Sequence, residues 1–122
     1  MATLDELVKL PGTMAAFSFL SGGKLLDQRI NNQELFSTAS LELLAQMCAA
    51  NLGIAAMQAG GWERRGEMTS FLPLRQFSLL GLEWTVVVSA PGRDTPADEP
   101  LLGAVIHNDK GDFQALSTAL AD

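Results

Sequence analysis

The sequence predicts one α+β domain in the order helix, two strands, long helix, three strands, helix. Three observations carry that expectation. Residues 33–65 are dominated by Ala, Leu, Met, Gln and Glu, all strong helix formers. The stretches on either side, 13–30 and 74–108, change to strand-like patterning with aromatic and β-branched residues. Glycine, proline and asparagine mark the boundaries between these periods. A chain of 122 residues and 13.0 kDa fits a single core and leaves no room for a second domain, so residues 1–122 are read as one unit.

Thr3 followed by Glu6 has the spacing of a capping box, and Leu4, Leu7, Val8 and Leu10 form one apolar helical face. Pro11-Gly12 should end that helix, because proline cannot continue the bonding and glycine accepts the positive φ of a helix exit. TMAAFSFL (13–20) and KLLDQRI (24–30) flank Ser21-Gly22-Gly23, a composition that suits a hairpin turn. Asn31-Asn32 can cap the long helix, expected from about Gln33 to Arg65. Gly60-Gly61 should kink it or stop it early, each glycine costing about 1 kcal/mol against alanine in a helix interior. Three antiparallel strands are expected at 74–83, 84–90 and 101–108, with PGRDTPADEP (91–100) as a mobile surface loop. Asp109 can cap a last helix that repeats Phe113, Leu116 and Leu120 on one face.

The long helix has two apolar lanes. At 100° per residue, Phe36, Leu43, Met47, Ala50, Ile54 and Met57 share one, while Leu41, Leu44, Cys48, Leu52, Ala55 and Trp62 share another about a third of a turn away. Ser40, Asn51 and Gln58 divide them on one side, and Glu42, Gln46 and Gly53 on the other. One sheet does not readily cover both lanes, so the second is expected to meet another copy of the chain. Leu41, Leu44, Cys48, Leu52, Ala55 and Ala59 are assigned to that dimer interface, since their small members let helices approach. The bulkier Met47, Ile54 and Met57 lane is then expected over the sheet.

These elements, the opening "LDELVKLPGTMAAFSF", the Gly-Gly hairpin, the small-residue helix and "WTVVVSAPG", make the chain resemble the roadblock/LC7 family over nearly its whole length. Within that family it is most similar to a prokaryotic roadblock-like group with "AQMCAAN" in the second helix and "PLR" before the third strand, here Ala45 to Asn51 and Pro73 to Arg75. The resemblance implies a five-stranded antiparallel sheet with the long helix packed on it. It also implies a homodimeric, non-catalytic module, paired through second helices and central strands, that scaffolds or regulates a protein partner such as a small GTPase. The acidic loop and Gly60-Gly61 depart from the family pattern.

Composition excludes several other functions. A net charge of -6 argues against a nucleic-acid surface, which needs a basic stripe to neutralise phosphates. Apolar runs are interrupted by Gly, Asn or Gln before the roughly 18 residues of a membrane span. MATLDELVKL lacks the features of a secretory signal, so a cytoplasmic location is expected. One Cys and one His do not make a zinc site within one subunit, and no cofactor is expected. Gly22-Gly23 and Gly60-Gly61 are too short for a phosphate-binding loop. Asp27, Glu63, Glu67 and the loop acids belong to separate elements and read as solvated charge rather than an acid–base pair.

Cys48 has no cation, metal or helix N-terminus near it in sequence to depress its pKa, so it reads as a buried small residue rather than a nucleophile. His107 reads as a strand-end residue beside Asn108 and Asp109. Asn51, between the lanes, has two readings: it fixes the register of a helix pair, or it bonds to its own sheet. Arg64, Arg65 and Arg75 are the cationic grouping that could receive an acidic partner or a phosphate, against a plain reading as a solvated helix end. The rival functions are a small-molecule sensor, with Phe17, Phe77 and Trp84 lining an apolar pocket, and a thiol enzyme using Cys48.

Overall fold

The computed structural model describes residues 2–66, 73–91 and 95–121. Its elements are α1 (Leu4–Val8), β1 (Thr13–Phe19), β2 (Leu25–Ile30), α2 (Thr38–Arg64), β3 (Gln76–Leu80), β4 (Trp84–Ser89), β5 (Leu101–His107) and α3 (Phe113–Ala121). The five strands form one antiparallel sheet in the order β2-β1-β5-β4-β3. β2 and β3 are therefore the edges, and β1 and β5 meet across the centre.

Local chemistry sets most boundaries where the sequence puts them. Thr3 caps α1, its Oγ1 accepting from the Glu6 amide at 3.2 Å. Gly12 follows at a φ of +73°, and a Cβ there would stand 2.3 Å from the Lys110 carbonyl carbon, so the chain can pass only as glycine. At the hairpin Gly23 takes a φ of +101°. Three expected boundaries move. Ser37, not Asn31 or Asn32, caps α2 through its Oγ and the Ser40 amide, while Asn32 holds a separate turn by accepting from Leu35. Gly60 and Gly61 do not stop α2, which runs on to Arg64. Asp112, not Asp109, caps α3 by accepting from the Ala115 amide at 3.0 Å; the Asp109 amide instead donates to His107 Nδ1. In the 91–100 loop, residues 92–94 lie outside the described residues, and Glu99 closes a turn onto the Pro96 carbonyl.

The sheet has a helix layer on each face. Under α2 lie Ala15, Phe17, Phe19, Val86, Val88, Leu101 and Val105, and under α1 and α3 lie Ala16, Val87, Leu102, Ala104 and Ile106. Every residue of β1 is buried, as expected for a central strand covered on both sides. Arg29 ties α1 to β2 by ion pairs to Asp5 at 2.8 Å and Asp27 at 3.0 Å. The Gln28 amide, opposed by some desolvation and helped by Arg29, holds the Asp27 carboxyl below its ordinary range.

Candidate interaction surface

The residues assigned from sequence to a dimer interface turn inward. Leu41, Leu44, Cys48 and Leu52 are buried in the core between α2 and the sheet; Ala59 is buried as well, and Ala55 is half-buried. This reverses the lane assignment. The physical reason is complementarity of size: the sheet presents Phe17, Phe19, Val86 and Val88, and the helix meets them with Ala45, Cys48 and Ala49. Small residues therefore let α2 approach its own sheet rather than another helix. The β1–β2 turn also lies beside the helix: a Cβ on Gly23 would make ordinary contact with Gln46 and Ala49.

The outward lane is the bulky one. Leu43 and Met57 are each 68% exposed, Ile54 53% and Met47 42%. No Asp, Glu, Lys or Arg occurs between Leu43 and Trp62, so this exposed face has no charge along its length. Near its N-terminal end, Leu35, Phe36, Leu43, Leu44, Met47 and Trp84 line a groove of about 320 Å³. Phe36 and Trp84 pack edge to face at 5.5 Å at its base. By length and composition α2 is also apolar enough to cross a membrane, a test that a core helix with one lane on a sheet passes equally.

The two sheet edges differ. β2, LLDQRI, carries Asp27 and Arg29, charges of the kind that discourage edge pairing. β3, QFSLL, carries none, and Leu80 at its end is 81% exposed.

The remaining candidates separate in space or in character. Cys48 is buried, and burial pushes its thiol up to about 11, away from the thiolate that a nucleophile needs. Asn51 does not bond to its own sheet: its Nδ2 donates to the Met47 carbonyl of its own helix at 2.8 Å. Arg64 and Arg65 stand exposed at the end of α2, and Arg75 is exposed just before β3. Phe17 fills the core instead of lining a pocket, and a Cβ on Gly103 would come within 2.6 Å of its ring. Phe77 and Trp84 are partly buried beside the same core, Trp84 alone of the three reaching the surface groove. Glu67 lies outside the described residues. Among the described residues no cluster of three or more His, Cys, Asp or Glu forms a metal site.

Residues 3–122 match the model of a family described as "Uncharacterized conserved protein (DUF2173)". No curated protein matches the sequence. Solved structures share the fold at low identity. The roadblock/LC7 domain from Streptomyces avermitilis is 15% identical, with a TM-score of 0.71 over 97% of this chain and 85% of that one. The gliding protein MglB from Thermus thermophilus is 19% identical, with a TM-score of 0.66 over 97% and 82%. An MglB in a tetrameric arrangement is 18% identical, with a TM-score of 0.68 over the same shares.

Proposed function

The chain belongs to the uncharacterized conserved protein family DUF2173 and has the roadblock/LC7 fold, and from that premise we propose that it is a non-catalytic, cytoplasmic homodimer that scaffolds or regulates a protein partner. The single observation that carries this reading is the uncharged, exposed lane Leu43, Met47, Ile54 and Met57. A contiguous apolar stripe of this kind is uncommon on a soluble monomer and marks a surface that another molecule covers. A second copy satisfies it economically, because a two-fold axis lets one lane meet itself. The uncharged β3 edge supports the same operator: two such edges can join antiparallel and extend the sheet between protomers. The tetrameric arrangement of one MglB neighbour is consistent with self-association in this fold.

Catalysis finds little to work with here. The one thiol is buried and protonated at neutral pH, and the acids gathered at Arg29 form ion pairs on an exposed edge. A partner that binds nucleotide, such as a small GTPase, is the class the roadblock/LC7 resemblance implies. It would engage the assembled dimer. Hydrogen exchange tests the proposal through β3: its amides should become more protected as protein concentration rises, together with the α2 lane. Protection independent of concentration would reject pairing through these elements.

A further inference from the structure

A polar cleft lies where three chain segments converge: the start of β1, the link from β2 to α2, and the turn from β5 to α3. Thr13, Met14, Asn32, Glu34, His107 and Lys110 are among its walls, and it encloses about 430 Å³, a size in the range of small-molecule sites. Neither β3 nor the outer lane of α2 contributes to it.

The walls are set by bonds between the segments. The Gly12 carbonyl accepts from the His107 amide at 2.9 Å, and the Met14 carbonyl accepts from the Asn31 and Asn32 amides at 2.8 and 3.1 Å. Asn31 Nδ2 adds a bond to the Thr13 carbonyl at 3.0 Å. The Lys110 backbone lies so close to Gly12 that a Cβ has no room between them. A ligand therefore meets a site that is already ordered, which spares it that cost.

The groups that the fold leaves unused there identify the ligand. Lys110 and Glu34 carry opposite charges on one cleft and are both exposed, yet no ion pair joins them among the described residues. His107 Nδ1 accepts from the Asp109 amide at 3.1 Å, so the neutral ring carries its proton on Nε2 and keeps a second donor. Thr13 is 6% exposed, and its buried hydroxyl has no hydrogen-bond partner, although buried polar groups are as a rule satisfied. A simple anion would gain Lys110 and meet repulsion from Glu34, and a simple cation would meet the reverse. A molecule with both charges close together suits both walls. We infer that the cleft binds a small zwitterion of the α-amino-acid class, its carboxylate toward Lys110 and His107 and its ammonium toward Glu34. This site goes beyond the partner-binding reading and does not depend on how the chain dimerises.

Titration of the ¹⁵N-labelled protein with L-glutamine tests it, beside propionate and propylamine as carriers of one charge each. Saturable binding at millimolar L-glutamine is expected, read at the amides of Thr13, Asn32, Glu34 and Lys110, and neither single charge should saturate. Lys110→Met and Glu34→Gln, both at exposed side chains, should each weaken L-glutamine binding about tenfold. Selectivity should also invert: Glu34→Gln should prefer propionate to propylamine, and Lys110→Met the reverse, a change that a merely structural role would not produce. The Met47→Asp, Ile54→Asp protein should bind L-glutamine as the wild type does, which separates this site from the dimer lane. An absence of saturable shifts at high millimolar L-glutamine overturns the proposal. So do wild-type binding of propionate or propylamine as tight as that of L-glutamine, unchanged affinity in both charge variants, or loss of binding in the Met47→Asp, Ile54→Asp protein.

Discussion

At the Cys48 sulfur, burial opposes ionisation, because the thiolate would lose its hydration without gaining a partner charge. The folded chain therefore holds the thiol proton up to about pH 11, whereas an unfolded chain releases it near 9.0. The contribution to stability is fully present below pH 9.0 and is lost as pH rises towards 11. Urea unfolding at the two ends of this window should show a loss on the order of 2 kcal/mol that the Cys48→Ala variant lacks. Iodoacetamide should label Cys48 slowly until the protein unfolds. The same packing makes Gly103→Ala costly: the new methyl meets Phe17 at 2.6 Å and Val88 at 2.7 Å, and denaturation should register about 1–3 kcal/mol of destabilisation. The burial of Cys48 is legible in the sequence from its uncharged surroundings. The place of its neighbour Phe17 in the core, rather than in a pocket wall, is not, since a sequence does not reveal that Gly103 lies across the sheet from it.

Among the elements, α2 is legible as a helix with two apolar lanes, but not in which lane faces inward. Periodicity fixes the angle between lanes and carries no information about the sheet they meet. The decisive quantity is the bulk of the sheet residues, and Phe17 and Phe19 leave room for Ala45, Cys48 and Ala49 rather than Met47 and Met57. Cys48→Trp should accordingly unfold the protomer by overpacking, seen as a lowered Tm in circular dichroism, instead of cleanly splitting an assembly. Helix starts differ from expectation for a related reason. Asn32 and Asp109 have the right side chains for caps, yet each is engaged in a turn that precedes its helix, and Ser37 and Asp112 do the capping. At the other end of the fold, α3 is clamped to the edge strand by a reciprocal pair. Gln76 Nε2 donates to the Ser117 carbonyl at 2.6 Å, and Ser117 Oγ donates to Gln76 Oε1 at 2.7 Å. Replacing Gln76 by Ala should cost about 1 kcal/mol in urea unfolding and loosen α3, with faster exchange of its amides.

For the whole molecule, the fold class and strand order along the chain are legible because turn residues and changes of period agree with one another. The interaction surfaces are harder to read. They depend on what the fold leaves uncovered: the outer lane of α2 and the uncharged β3 edge. A protein of net charge -6 nonetheless carries no charged residue along that lane or in β3. Long-range repulsion between copies then makes association sensitive to ionic strength, and added salt should strengthen a dimer formed through the uncharged lane.

Sedimentation equilibrium is the most direct measurement, applied to the wild-type chain and to Met47→Asp with Ile54→Asp. Pairing through the outer lane requires a wild-type mass twice the 13.0 kDa of one chain, and a variant that sediments as a folded monomer. A wild-type monomer across the concentration range, or a variant that keeps the doubled mass, would rule that pairing out.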